Sequence, residues 1–144
     1  MNQRATVIHV LLVEDSPGDA DLTKETLETG KLWLTVDVVT DGEAALDFLY
    51  KRGAYPGVAT PDLVILDLNL PRLSGGEVLA AMKQEPTLRA IPVVMLTSSD
   101  AEKDIAASYS LGVSCYVTKP VGLEAFQAIV RAIEGFWFTV VRLP

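Results

Sequence analysis

The feature that most constrains this chain is a strict alternation. Short apolar runs are each followed by a segment carrying helix signals, and the pair recurs five times. The runs are VIHVLLVED (7–15), LTVDVVT (34–40), DLVILDL (62–68), IPVVMLTS (91–98) and SCYVTK (114–119). Continuous runs rich in Val, Ile and Leu suit strands of a parallel sheet buried on both faces. Between them, Ser16 can cap a helix, Pro17 fits its first position and Asp19 favours its positive start. Asp41 can cap the next, with Ala45, Phe48 and Leu49 on one face. Ser74 and Glu77 have capping-box spacing ahead of Val78, Leu79 and Met82, and Ser99 and Glu102 repeat it. Gly112 suits a helix end. Leu123, Phe126, Ile129, Val130 and Ile133 form one stripe on the last helix. Five βα pairs predict an α/β fold: a doubly wound, five-stranded parallel sheet with five helices, in one domain over residues 1–144.

Composition excludes several function classes. The 144 residues carry 12 basic and 19 acidic side chains, a net charge of −7, which makes the chain a poor candidate for binding a phosphate backbone, so no nucleic-acid partner is expected. A hydrophobic content of 49% excludes a disordered chain. No apolar segment reaches the ~20 residues of a membrane span, and no signal peptide is evident, so a cytoplasmic protein is expected. Cys115 stands alone and has no disulfide partner. The lone His9 lies early in a strand, which suits neither a phosphotransfer histidine nor a Ser-His-Asp triad.

In doubly wound sheets, ligands bind beyond the carboxyl ends of the strands. The first strand ends in Glu14-Asp15, the third in Asp67, the fourth in Thr97 and the fifth in Lys119-Pro120. Each alone has an ordinary reading: helix-start acids, a turn carboxylate, a strand-end hydroxyl, a solvated lysine. Together they place three acids, a hydroxyl and an ammonium in one pocket. Three close carboxylates repel unless a cation joins them, and an oxygen-only set suits Mg²⁺, with Mn²⁺ as a substitute. That is a pocket for phosphoryl chemistry, with Asp67 as nucleophile, Lys119 and metal as charge neutralisers, and Thr97 as hydrogen-bond donor.

The segments VLLVEDSPGD, LVILDLNLPRLSGGE, VVMLTSSD and CYVTKP, in this order, closely resemble the receiver domain of two-component response regulators, a flavodoxin-like (βα)5 fold. The resemblance implies that Asp67 accepts a phosphoryl group from a phosphohistidine on a sensor histidine kinase. It implies Mg²⁺ held by Asp15, Asp67 and the backbone carbonyl of Asn69, with Glu14, in place of the more usual Asp, acting through water. It further implies that Thr97 and Lys119 contact the phosphoryl group. Tyr116 would be the aromatic switch that follows Thr97, altering the face formed by the fourth helix, fifth strand and fifth helix. YKRGAYPGVATPDLVILDLNLP, SYSLGVSCYVTKP and FWFTVVRLP look like those of small stand-alone response regulators that partner phytochrome-type kinases.

The apolar tail 136–144 holds Phe136, Trp137 and Phe138, whose rings cannot all face one way. A homodimer through this tail, the fifth strand and the last helix is expected, as in members of the resembled group. Nothing follows the tail, so no attached output domain is expected. Rival readings are a metal-dependent phosphatase with an aspartyl nucleophile and a flavin-binding module. Such phosphatases commonly carry an acidic residue two positions beyond the nucleophile, where this chain has Asn69. A flavin phosphate would be repelled by EDSPGD. The chain is therefore expected to be a phospho-accepting signalling protein, limited as an enzyme to self-phosphorylation from small donors and autodephosphorylation.

Overall fold

A computed structural model describes residues 7–30, 34–120 and 122–141, with side chains through Gly135. Five strands, β1 (Ile8–Val13), β2 (Leu34–Val39), β3 (Leu63–Leu66), β4 (Val93–Thr97) and β5 (Cys115–Thr118), alternate with five helices. These are α1 (Pro17–Glu28), α2 (Gly42–Leu49), α3 (Gly75–Gln84), α4 (Glu102–Leu111) and α5 (Leu123–Val141). All strand pairs are parallel, in the order β2-β1-β3-β4-β5, as expected for a doubly wound sheet.

Side-chain alternation divides the core into two layers. Leu11, Val13, Val64, Leu66, Val93 and Met95 face the layer completed by α2 and α3. Val10, Leu12, Ile65, Val94 and Leu96 face the layer completed by α1 and α5. Strands β1, β3 and β4 are thus buried on both sides, each fully buried side chain contributing about 1.5–3 kcal/mol. The same expectation fails for β2 and β5. Both lie at the edges of the sheet, where helices cover less of each face: β2 buries only Val36 and Val39, and β5 buries no residue fully.

Local signals explain most helix starts. The Ser16 hydroxyl accepts from the Asp19 N–H, with Pro17 opening α1. Asp41 accepts from the Ala44 N–H at 2.8 Å. Ser74 and Glu77 form the full reciprocal capping box. The matching Ser99–Glu102 expectation is corrected: α4 is capped by Ala101 with no side-chain hydrogen bond. The Ser99 hydroxyl instead donates to the Asp104 carboxylate at 2.6 Å, because Ser99 belongs to the loop leaving β4. Gly112 ends α4 in the left-handed conformation at φ 99°, as its position predicts.

Two further expectations change. Phe126, Val130 and Ile133 are buried on α5, but Leu123, in the first turn, is 61% exposed. The segment 136–141 does not leave as a separate tail; its backbone continues α5 to Val141. The side chains of Phe136, Trp137 and Phe138, and residues 142–144, lie outside the described residues. Helix α4 is seated lightly, with Ser108 its one buried residue. The Tyr109 hydroxyl, from that helix, accepts the Tyr116 N–H of edge strand β5 at 3.1 Å.

Candidate functional site

The carboxyl ends of β1, β3, β4 and β5 converge as the alternation requires. Glu14 and Asp15 follow β1, and Asp67 follows β3; one oxygen from each lies within 4.8 Å of the others. Glu14 and Asp67 are buried, whereas Asp15 is exposed. Asp67 is fixed at backbone and side chain: its N–H donates to the Val13 carbonyl at 3.1 Å, and the Asn69 N–H donates to its Oδ1 at 3.0 Å. The start of α3 presses on it from below. The Gly75 N–H donates to the Leu68 carbonyl at 2.8 Å, and Gly75 packs directly against the Asp67 backbone.

Lys119 reaches into this cluster from the end of β5. Its Nζ lies 2.6 Å from Glu14 Oε1, 3.0 Å from Asp19 Oδ2 and 3.2 Å from Asp67 Oδ2. Sequence reasoning placed Glu14, Asp67 and Lys119 together but gave Asp19 only a helix-start role. The overlooked signal is positional: α1 begins two residues after Asp15, so a carboxylate in its first turn stands above the same strand end.

The charges are strongly coupled. Burial raises the Glu14 carboxyl from the ordinary 4.5 to about 7; the hydrogen bond and charge of Lys119 oppose this, and Asp67 adds to it. Burial pulls the Lys119 ammonium down, but hydrogen bonds to Glu14 and Asp19 and the charges of Asp67 and Glu14 leave it above its ordinary value. Both Glu14 oxygens are engaged, Oε1 with Lys119 and Oε2 with the Ser16 N–H at 3.2 Å. One ammonium thus serves three carboxylates, Glu14, Asp19 and Asp67, and the exposed Asp15 adds a fourth to the cluster. The donor set is all oxygen, converging and short of positive charge, which fits a divalent cation.

Thr97 is fully buried at the end of β4. Its hydroxyl accepts from the Ser99 N–H at 3.4 Å, and no hydrogen bond joins it to Asp67 among the described residues. Tyr116, half-buried on β5 against the α2–α3 layer, donates its hydroxyl to the Ser99 carbonyl at 2.7 Å. Burial pushes this phenol up; the Ser99 hydrogen bond opposes, and Asp104, Asp67 and Asp100 add to it. The residues read as a switch pair are therefore linked through the backbone of one residue, Ser99, which sequence reasoning gave a capping role.

Other sequence readings find their places. Cys115 is partly buried against the α1–α5 layer, where burial pushes its thiol up. His9 stands near the start of β1, its N–H donating to the Asp62 carboxylate at 2.9 Å, away from the carboxyl ends of the strands. No helix among the described residues is long and apolar enough to cross a membrane.

Known proteins share this fold and much of this sequence. The family model described as "Response regulator receiver domain" matches residues 10–131. The chain is 47% identical over 135 residues to "Response regulator Rcp1" of Synechocystis sp., covering 94% of this chain and 92% of that protein. The solved Mn²⁺-bound form of Rcp1 superimposes with a TM-score of 0.89 at 46% identity, covering 95% of this chain and 99% of that one. The phosphorylated cyanobacterial phytochrome response regulator RcpA superimposes with a TM-score of 0.91 at 43% identity, covering 96% and 99%. By sequence and by fold, the chain belongs to the response regulator receiver domain family.

Proposed function

We propose that this chain is a response regulator in which Asp67 takes a phosphoryl group from a phosphohistidine of a sensor histidine kinase. The observation that carries the reading is the Asp67 carboxylate, buried at a strand end, within 4.8 Å of the Glu14 and Asp15 carboxylates and 3.2 Å from Lys119 Nζ. An Asp67 oxygen attacks phosphorus, the P–N bond breaks, and its electron pair returns to the imidazole. Asp15, Asp67 and the Asn69 carbonyl would hold Mg²⁺, or Mn²⁺ in its place. Glu14 would act through water, a role supported by the engagement of both its oxygens. The cation supplies charge neutralisation for the phosphoryl oxygens. Lys119 contributes a second positive charge, and Thr97 a hydroxyl that turns from Ser99 toward the phosphoryl group.

Tyr116 follows, since Ser99 accepts from its hydroxyl and donates to Thr97. The affected face is α4, β5 and α5, and the light seating of α4 supports its movement. Asn69 stands where an aspartyl phosphatase carries its acid, which supports a persistent phosphoryl state over turnover of phosphate esters. Activity is limited to self-phosphorylation from small phosphodonors and autodephosphorylation. Residues 1–144 form a single receiver unit acting in the cytoplasm. Likeness to RcpA supports a phytochrome as the kinase partner.

Acetyl phosphate with Mg²⁺, read by intact mass, tests the acceptor. One phosphoryl adduct in the wild type and none in Asp67→Asn is expected; equal labelling of both refutes the assignment. We further propose a homodimer through α5, β5 and residues 136–144. Light scattering should give a dimer for the full chain and a monomer for a chain ending at Gly135. A monomeric full chain at tens of micromolar refutes it.

A further inference from the structure

The ammonium of Lys119 carries three N–H donors, and three carboxylates take them: Glu14 at 2.6 Å, Asp19 at 3.0 Å and Asp67 at 3.2 Å. No fourth donor exists. A phosphoryl group on Asp67 brings strong acceptor oxygens that call for this same cation. Loading Asp67 therefore requires Lys119 to release a partner.

The three partners are not equivalent. Glu14 makes the shortest contact and is almost wholly buried, so releasing it leaves a buried carboxylate without its cation. Asp67 carries the incoming group. Asp19 differs from both: its side chain is 38% exposed, so water can replace the ammonium. It also stands in the first turn of α1, where the helix dipole favours a free carboxylate.

We propose that Asp19 is a positioning residue: it holds Lys119 toward α1 before phosphorylation and yields it to the phosphoryl group afterwards. The inference rests on Asp67 being the acceptor. Asp19 thereby opposes loading of Asp67, and its release unties the start of α1 from the end of β5. The helix cap does not depend on this carboxylate, because Ser16 accepts from the Asp19 backbone N–H. Asp19→Asn therefore removes the charge while leaving the cap in place.

Beryllofluoride, a phosphoryl mimic, is titrated with Mg²⁺ into the wild type and Asp19→Asn, with binding followed by backbone amide NMR. The Lys119 Nζ signal is recorded before and after saturation. Asp19→Asn should bind about three- to tenfold tighter, the scale of one charge-assisted contact at a half-exposed site. The Nζ signals of the two proteins should differ before saturation and coincide after it. Equal affinity overturns the proposal, as does an Nζ difference that persists at saturation. Tighter binding with no initial Nζ difference also overturns it, since Asp19 would then act through bulk charge alone. Binding that survives Asp67→Asn, or no binding by the wild type, counts instead against Asp67 as the acceptor.

Discussion

Replacing Gly75 with alanine should damage the site without touching any charged group. A methyl group at Gly75 would lie 2.8 Å from the Leu68 Cα and 3.0 Å from the Asp67 carbonyl carbon, and closer still to the Asp67 carbonyl oxygen. Every one of these atoms is backbone, so no side-chain rotation relieves the clash. Restoring ordinary contact requires a shift of about 1 Å between α3 and the Asp67 segment. Overpacking of this kind costs about 1–3 kcal/mol, partly offset by the roughly 1 kcal/mol that alanine gains over glycine in a helix. The expected net loss is about 0–2 kcal/mol, or up to about 6 °C in Tm for a chain of this size. The larger effect falls on chemistry: a reacting group misplaced by about 1 Å loses on the order of a hundredfold in rate. Gly76→Ala is the internal control, because a methyl group there meets only the Ser74 hydroxyl, at 3.8 Å. It should be neutral or slightly stabilising. Urea unfolding gives the stability, and intact mass after timed exposure to acetyl phosphate gives the labelling rate. Gly75→Ala labelling at the wild-type rate, with unchanged stability, would refute the claim that α3 fixes the position of Asp67.

Two further outcomes follow from buried polar groups. Between pH 4.5 and about 7 the folded, metal-free protein keeps a Glu14 proton that the unfolded chain has released. Its stability should therefore fall as pH rises through that window, by at most about 3 kcal/mol, and Glu14→Gln should flatten the slope in urea titrations with a chelator present. The Thr23 hydroxyl on α1 is buried with no hydrogen-bond partner among the described residues, so Thr23→Val should stabilise by about 1 kcal/mol in the same assay; a loss of stability would show that the hydroxyl is satisfied.

How much of this was legible in the sequence depended on which forces act locally. Strands β1, β3 and β4 announced themselves because burial on both faces leaves an unbroken apolar run. The capping box at Ser74 and Glu77 formed as read because every atom it needs lies within four residues. The same spacing at Ser99 and Glu102 misled, because the loop leaving β4 must also serve Thr97, Tyr116 and Asp104, which are distant or hidden partners in a linear reading. Asp19 was missed for a related reason: its ion pair with Lys119 spans a hundred residues, and the helix-start role was sufficient locally. Nothing in the sequence separates Gly75 from Gly76; only the packing of α3 on Asp67 does so. Leu123 fitted the apolar stripe of α5 by phase, but phase carries no information on where along the helix burial begins.

The hydrogen bond from Tyr116 N–H to the Tyr109 hydroxyl bears on how the open edge of the sheet is protected. Strand β5 closes one side of the sheet, and an outermost strand offers its unpaired amides as a template for another chain. The Tyr109 hydroxyl occupies one of those amides. Removing that hydroxyl returns a rung to the open ladder. Tyr109→Phe, which leaves the ring in place, would thus measure how far one side-chain oxygen guards the sheet against fibrous association.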